Sequence, residues 1–159
     1  MPTKDLFHEL DISVPTYAGA GPQISCTDTA AINAQFATAM DTSGYESNII
    51  VLYFSDISNA IDYTFQMFES NTSATDAGTA VAATDVIVRR DDNTNTECPA
   101  ATGILTTTGA TSENHFYIFE YLGNMRWVQL TVGGAVGTAD CTPGMMWLQG
   151  HPRHGPIHI

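Results

Sequence analysis

Glu113-Asn-His-Phe-Tyr-Ile-Phe-Glu-Tyr-Leu-Gly-Asn-Met-Arg-Trp-Val-Gln-Leu-Thr-Val132 is the stretch whose reading decides the fold. Two runs dense in aromatic and β-branched residues flank Gly123-Asn124, a pair able to take the positive φ of a tight turn, so the stretch predicts a β-hairpin at the centre of the core. Side chains alternate along a strand, which places Met125, Trp127, Gln129 and Thr131 on one side and Arg126, Val128, Leu130 and Val132 on the other. Arg126 thereby falls among apolar neighbours, where a guanidinium needs a carboxylate or several carbonyls to offset its lost hydration. Glu120 on the opposite arm is the expected partner. Arg126, Trp127, Tyr121 and Gly123 are read together as a structural anchor, with no catalytic role.

On the C-terminal side, Gly133 to Gly144 reads as a Gly-rich loop and Met145 to Gln149 as a last strand. The tail from Gly150 contains Pro152 and Pro156, which bars it from a central strand. On the N-terminal side, the Thr-, Asn- and Gly-rich residues from Arg90 to Gly109 predict a long surface excursion across a sheet edge. Before it come a short strand from Asp85 to Arg89 and a small, polar loop from Ser70 to Thr84.

Ile61 to Glu69 alternates, with Ile61, Tyr63, Phe65 and Met67 opposed to Asp62, Thr64, Gln66 and Phe68. Asn48 to Phe54 is a continuous apolar run, the pattern of a strand buried on both faces. Asp28 to Asp41 has enough alanine for a helix, but Ile32, Ala34, Phe36, Thr38 and Met40 alternate at the period of a strand. With about seven strands and no helix, the chain is predicted to be all-β, an antiparallel β-sandwich or jelly-roll-like barrel.

The expected organisation is an extended N-terminal arm over 1–23, a sandwich domain over 24–150 with a long polar loop at 90–112, and an extended tail over 151–159. The arm is rich in Pro and Gly. Its Leu6, Phe7, Leu10, Ile12 and Val14 are too apolar to stay in water, so it is expected to lie on its own sandwich or on a neighbouring subunit. With His151, Arg153 and His154 of the tail, these are the candidate partner contacts.

A chain of 159 residues can bury a core without help from metals or disulfides. Five basic residues against seventeen acidic ones leave a net charge of −12, which repels phosphate backbones and argues against nucleic acid as a partner. No apolar run approaches the roughly 20 residues of a membrane span, and Met-Pro-Thr-Lys-Asp shows no signal-peptide pattern, so synthesis in the cytoplasm is expected. Cys26, Cys98 and Cys141 are widely spaced and odd in number; buried thiols are expected, with a Cys98–Cys141 bridge as the less favoured alternative.

Candidate chemistry is sparse. His151, His154 and His158 have intervals that can bring imidazoles to one metal, but two prolines splay them and no Cys or carboxylate lies beside them, so no metal is expected there. Asp91-Asp92-Asn93-Thr94-Asn95-Thr96-Glu97 alternates oxygen ligands like a calcium loop, yet it lacks the central Gly and distant Glu of an EF-hand. There is no glycine-rich phosphate loop and no Gly-x-Ser-x-Gly elbow. Seventeen acids make carboxylate pairs for glycosidase chemistry too easy to find to carry meaning. Tyr17, Tyr45 and Trp147 are the aromatics that would stack on sugars, although such residues in β proteins more often fill the core. Neither enzymatic activity nor a cofactor is expected.

The succession Ser43-Gly-Tyr-Glu-Ser47 before an apolar strand, Ile61-Asp-Tyr-Thr-Phe-Gln-Met-Phe-Glu-Ser70, Tyr121-Leu-Gly-Asn-Met-Arg-Trp-Val128 and Gly150-His-Pro-Arg-His-Gly-Pro156 resembles small structural proteins of tailed bacteriophages. The resemblance spans roughly residues 41 to 156 and rests on short motifs. Phe68, the Thr-rich stretch 91 to 112 and the extra histidines depart from it. It implies a virion component on a β-sandwich or jelly roll, foremost a decoration or cement protein on the capsid exterior. The implied partners are the major capsid protein and copies of the chain itself, with a trimer as one implied arrangement. The alternatives are a tail-tube, neck or tail-tip structural protein, or a glycan-binding module.

Overall fold

A computed structural model of the chain describes residues 10–13, 38–57, 62–72, 78–92, 98, 102–107, 112, 114–133 and 141–152. Ten strands follow in order: β1 (Leu10–Ser13), β2 (Met40–Asp41), β3 (Tyr45–Ile57), β4 (Thr64–Ser70), β5 (Thr79–Ala80), β6 (Val86–Arg90), β7 (Ile104–Thr106), β8 (Phe116–Tyr121), β9 (Trp127–Gly133) and β10 (Cys141–Pro152). They form two antiparallel sheets. The first has the order β1-β10-β3-β8-β6; the second runs β2-β9-β4-β5, with β7 also paired to β4. No α-helix occurs among the described residues. The architecture is a β-sandwich, as the alternation predicts, and not a closed barrel.

The core lies between the sheets. Ile50, Leu52 and Phe54 of β3 and Tyr117 and Phe119 of β8 face Phe65 and Met67 of β4 and Val128, Leu130 and Val132 of β9, all of them buried. Phe54 meets Phe65 across the gap at 5.3 Å between ring centroids and Tyr117 edge-on at 5.8 Å. Burying a side chain of this size contributes about 1.5 to 3 kcal/mol. Period-two spacing at Tyr63, Phe65 and Met67 and at Val128, Leu130 and Val132 is thus what builds the interior.

The stretch Glu113 to Val132 holds two strands, but they do not form a hairpin. β8 pairs with β3 and β6 in the first sheet, while β9 pairs with β4 and β2 in the second. Leu122 to Arg126 is therefore a crossover from one sheet to the other. Its backbone donors are taken locally: Met125 N–H donates to the Tyr121 hydroxyl at 2.9 Å and Arg126 N–H to Asn71 Oδ1 at 2.9 Å. Gly123 is not among the positive-φ glycines, which are Gly44, Gly78 and Gly103. It is needed for close approach, because a Cβ at 123 would run into the Tyr121 ring.

Further expectations are corrected. The apolar run of β3 is not buried on both faces: Ile50, Leu52 and Phe54 point inward, while Ile49, Val51 and Tyr53 are half-buried on the outside. The loop predicted over 70–84 contains β5, and the excursion predicted from residue 90 contains β7. The excursion is fastened to the second sheet by Thr107, whose hydroxyl accepts the Tyr63 N–H at 2.9 Å and whose own N–H donates to the Tyr63 carbonyl at 2.9 Å. The final strand begins earlier than predicted, at Cys141, and runs on through Pro152, so the start of the tail does continue a central ladder: Pro152 pairs with Tyr45 just beyond the pairing of Leu10 with Gly150, and Pro143 sits at a register shift, where a bulge accommodates a residue with no N–H to donate. Cys98 is a buried thiol outside any disulfide.

Candidate functional site

Two features of the sandwich are candidates for function: the corner where the chain crosses between sheets, and the outer face of the first sheet. At the corner, Tyr121 ends β8 with its side chain buried. Its hydroxyl donates to Glu69 Oε2 of β4 at 2.5 Å while accepting the Met125 N–H, so one phenol joins both sheets and the crossover. Burial, with the Glu69 carboxylate beside it, pushes the phenol well above its ordinary range. The Thr42 hydroxyl donates to the Met125 carbonyl at 2.7 Å, and Thr42 N–H to the Arg126 carbonyl at 2.8 Å. Gln149 Nε2 of β10 donates to the Asp41 carbonyl at 2.7 Å and to Asn48 Oδ1 at 2.8 Å. Five strands are knitted at this end by side chains satisfying one another and the backbone.

Arg126 sits at the rim of this corner and is not a buried anchor. β9 starts only at Trp127, so the alternation that places Val128, Leu130 and Val132 inward does not reach back to Arg126. Its side chain is 56% exposed, pairs with Asp41 at 3.0 Å and lies over the Trp127 ring at 4.8 Å from the centroid. Burial pulls the Asp41 carboxyl upward, but bonds from Arg126 and Ser43 outweigh it and hold it below the ordinary carboxylate value. The predicted partner, Glu120, is paired with Arg89 at 2.8 Å instead. β8 and β9 lie in different sheets, which is why a hairpin-based pairing fails. Beside Arg126 is a polar cleft of about 190 Å³ lined by Thr42, Ser43, Glu46, Asn48, Asn71, Gly123 and Asn124.

The outer face of the first sheet is of another kind. The register sets Met146 against Val51 and Leu148 against Ile49, then Val51 against Ile118 and Tyr53 against Phe116, with Ile87 of β6 beyond. All lie on the side away from the core. Phe116 is 44% exposed and Ile87 41%, and Leu122 just past β8 is 53% exposed. Tyr53 and Phe116 stack at 5.0 Å between centroids. The Arg89–Glu120 ion pair is the charge set within this apolar field. An apolar face of this sort, half-buried along β3 and exposed at Phe116 and Ile87, has the character of an interaction site.

Of the candidate partner contacts, Leu10 and Ile12 fall in β1, an edge strand of this same sheet that pairs with β10, and His151 falls in β10. Leu6, Phe7, Val14, Arg153 and His154 lie outside the described residues, as do Tyr17, His158 and most of the strand expected over 28–41. Trp147 is partly buried and packs against the core, as large aromatics in β proteins more often do. Sequence reasoning missed Asp41 and Glu69 as the partners of Arg126 and Tyr121, and it missed the outer apolar face. The one signal for that face was the unbroken apolar run of β3, taken as a doubly buried strand. No protein-family model, characterised protein or solved structure matches this chain.

Proposed function

We propose that this chain is a non-enzymatic structural protein of a tailed-phage virion, a capsid decoration or cement protein that lays the outer face of its first sheet against a capsid subunit. The observation that carries the reading is the contrast between that face and the rest of the molecule. A protein of net charge −12 holds an apolar field over three adjacent strands, from Met146 through Val51 to Ile118, with Ile87 of β6 on the far side of the Arg89–Glu120 ion pair. Charge selects the partner: two copies meeting through this face bring like charges together, whereas a capsid subunit with a basic rim around an apolar patch complements it. The rigid ladder beneath the patch, with β3 paired along both sides, lowers the ordering cost of binding.

The test is attachment to phage heads that lack the protein. The wild-type chain is expected to sediment with heads in many copies per particle and to raise their resistance to heat. Phe116→Asp is expected to stay in the supernatant while melting as the wild type does. A wild-type chain that does not associate with heads overturns the proposal, and a few copies per particle would move the reading to a neck or tail component.

A further inference from the structure

We propose that Asp91, Asp92 and His115 form a binding site for a divalent transition-metal ion of the zinc type. Asp91 directly follows β6 and His115 directly precedes β8, and these two strands are neighbours in the first sheet. The ladder ends by placing them together: Asp91 N–H donates to the Phe116 carbonyl at 2.9 Å. Asp91 Oδ1 lies 2.8 Å from His115 Nδ1, and one ligand atom from each of the three residues lies within 4.8 Å of the others. Two ligands bound to one zinc ion at about 2.0 to 2.2 Å are roughly 3.3 Å apart, so small side-chain rotations bring the three atoms to coordinating distance.

The donors select the metal. Read alone, Asp91 to Glu97 offers only oxygen, the preference of calcium; His115 adds an imidazole, a poor ligand for calcium and a good one for zinc, cobalt or nickel. Three protein ligands leave a coordination position for water. Asp92 is oriented from behind by Arg90, whose Nε and Nη2 meet its two oxygens at 2.8 and 2.7 Å, and a carboxylate has lone pairs enough to hold a guanidinium and a cation together. Two carboxylates, one guanidinium and a neutral imidazole leave the site at −1, and the −12 of the whole chain raises the local cation concentration further. Zinc binding here does not require capsid attachment.

The experiment is calorimetric titration of the full chain with zinc chloride at neutral pH, with calcium chloride as control. Because the tail also carries histidines, a variant with His151, His154 and His158 all changed to Ala is titrated alongside. A zinc-binding step is expected in the wild type and in the tail variant. It should be weakened at least the roughly tenfold that even an outer-shell partner is worth in His115→Ala and in Asp92→Asn, two substitutions at half-exposed positions read separately. Calcium should give no comparable step, and the cobalt-loaded chain should show visible absorption that His115→Ala loses. A zinc step that is absent from the wild type, lost in the tail variant or unchanged in both site variants overturns the proposal.

Discussion

The two outer faces of this sandwich are built by the same alternation and differ in what it leaves outside. On the second sheet the outward positions are mainly Thr64, Gln66, Thr131 and Thr106, with Ile104 beside Gln66 and Phe68 and Trp127 toward one end, and the Thr131 hydroxyl donates to the Gln66 carbonyl at 3.4 Å. On the first sheet they are mainly Ile49, Val51, Tyr53, Phe116, Ile118 and Ile87, with the Arg89–Glu120 ion pair among them. One face is suited to water; the other has apolar area that water leaves uncompensated. The proposed function therefore rests on an asymmetry between faces more than on any single cleft, and the core between them serves both.

The largest effect is expected where the two sheets are tied. Tyr121→Phe removes the hydroxyl that Glu69 and the Met125 N–H share and should lower stability by about 1 to 3 kcal/mol, read from urea unfolding. The same group sets an alkaline limit. Its folded value lies above the ordinary phenol value of about 10, so its contribution is complete below that pH and fades as pH rises beyond it, when the unfolded chain ionises first. Tyr121→Phe should flatten that alkaline loss; an unchanged profile would show that the hydroxyl does not couple the sheets.

An intermediate effect separates the faces. Ile87→Asp and Thr106→Asp both alter exposed strand positions and should each shift the melting temperature little, within the roughly 0.5 kcal/mol usual for surface changes. Only Ile87→Asp should abolish head attachment, measured by co-sedimentation. Equal loss from both would erase the distinction between faces. The smallest effect is expected for Arg126→Ala, since its ion pair with Asp41 is solvent-exposed and screened. Its melting curve should nearly overlay that of the wild type, and a large drop would return Arg126 to the role of a core anchor.

Inward positions were legible in the sequence because burial imposes a period. Tyr63, Phe65 and Met67, and likewise Val128, Leu130 and Val132, announce their face without knowledge of their partners. Pairing was not legible in the same way. Gly123-Asn124 between two β-rich runs has the local chemistry of a hairpin turn, yet a glycine demanded by the neighbouring Tyr121 ring looks the same in sequence as one demanded by φ. Arg126 meets Asp41 across 85 positions, and His115 meets Asp91 across 24. Such distances are set by sheet order, which composition and spacing do not encode. The resemblance to phage structural proteins concerns function and remains a proposal on the ground given above.

The order of the first sheet has a kinetic consequence. Leu10 pairs with Gly150, and β10 lies between β1 and β3. During synthesis β1 and β3 emerge early and stay without their shared neighbour until β10 leaves the ribosome, so that sheet assembles late. Pairings of such sequence separation place the chain among the slower β folders, on the order of milliseconds to seconds. Until β10 arrives, one long edge of β3 is open, and the nascent chain is then most exposed to aggregation and most in need of a chaperone.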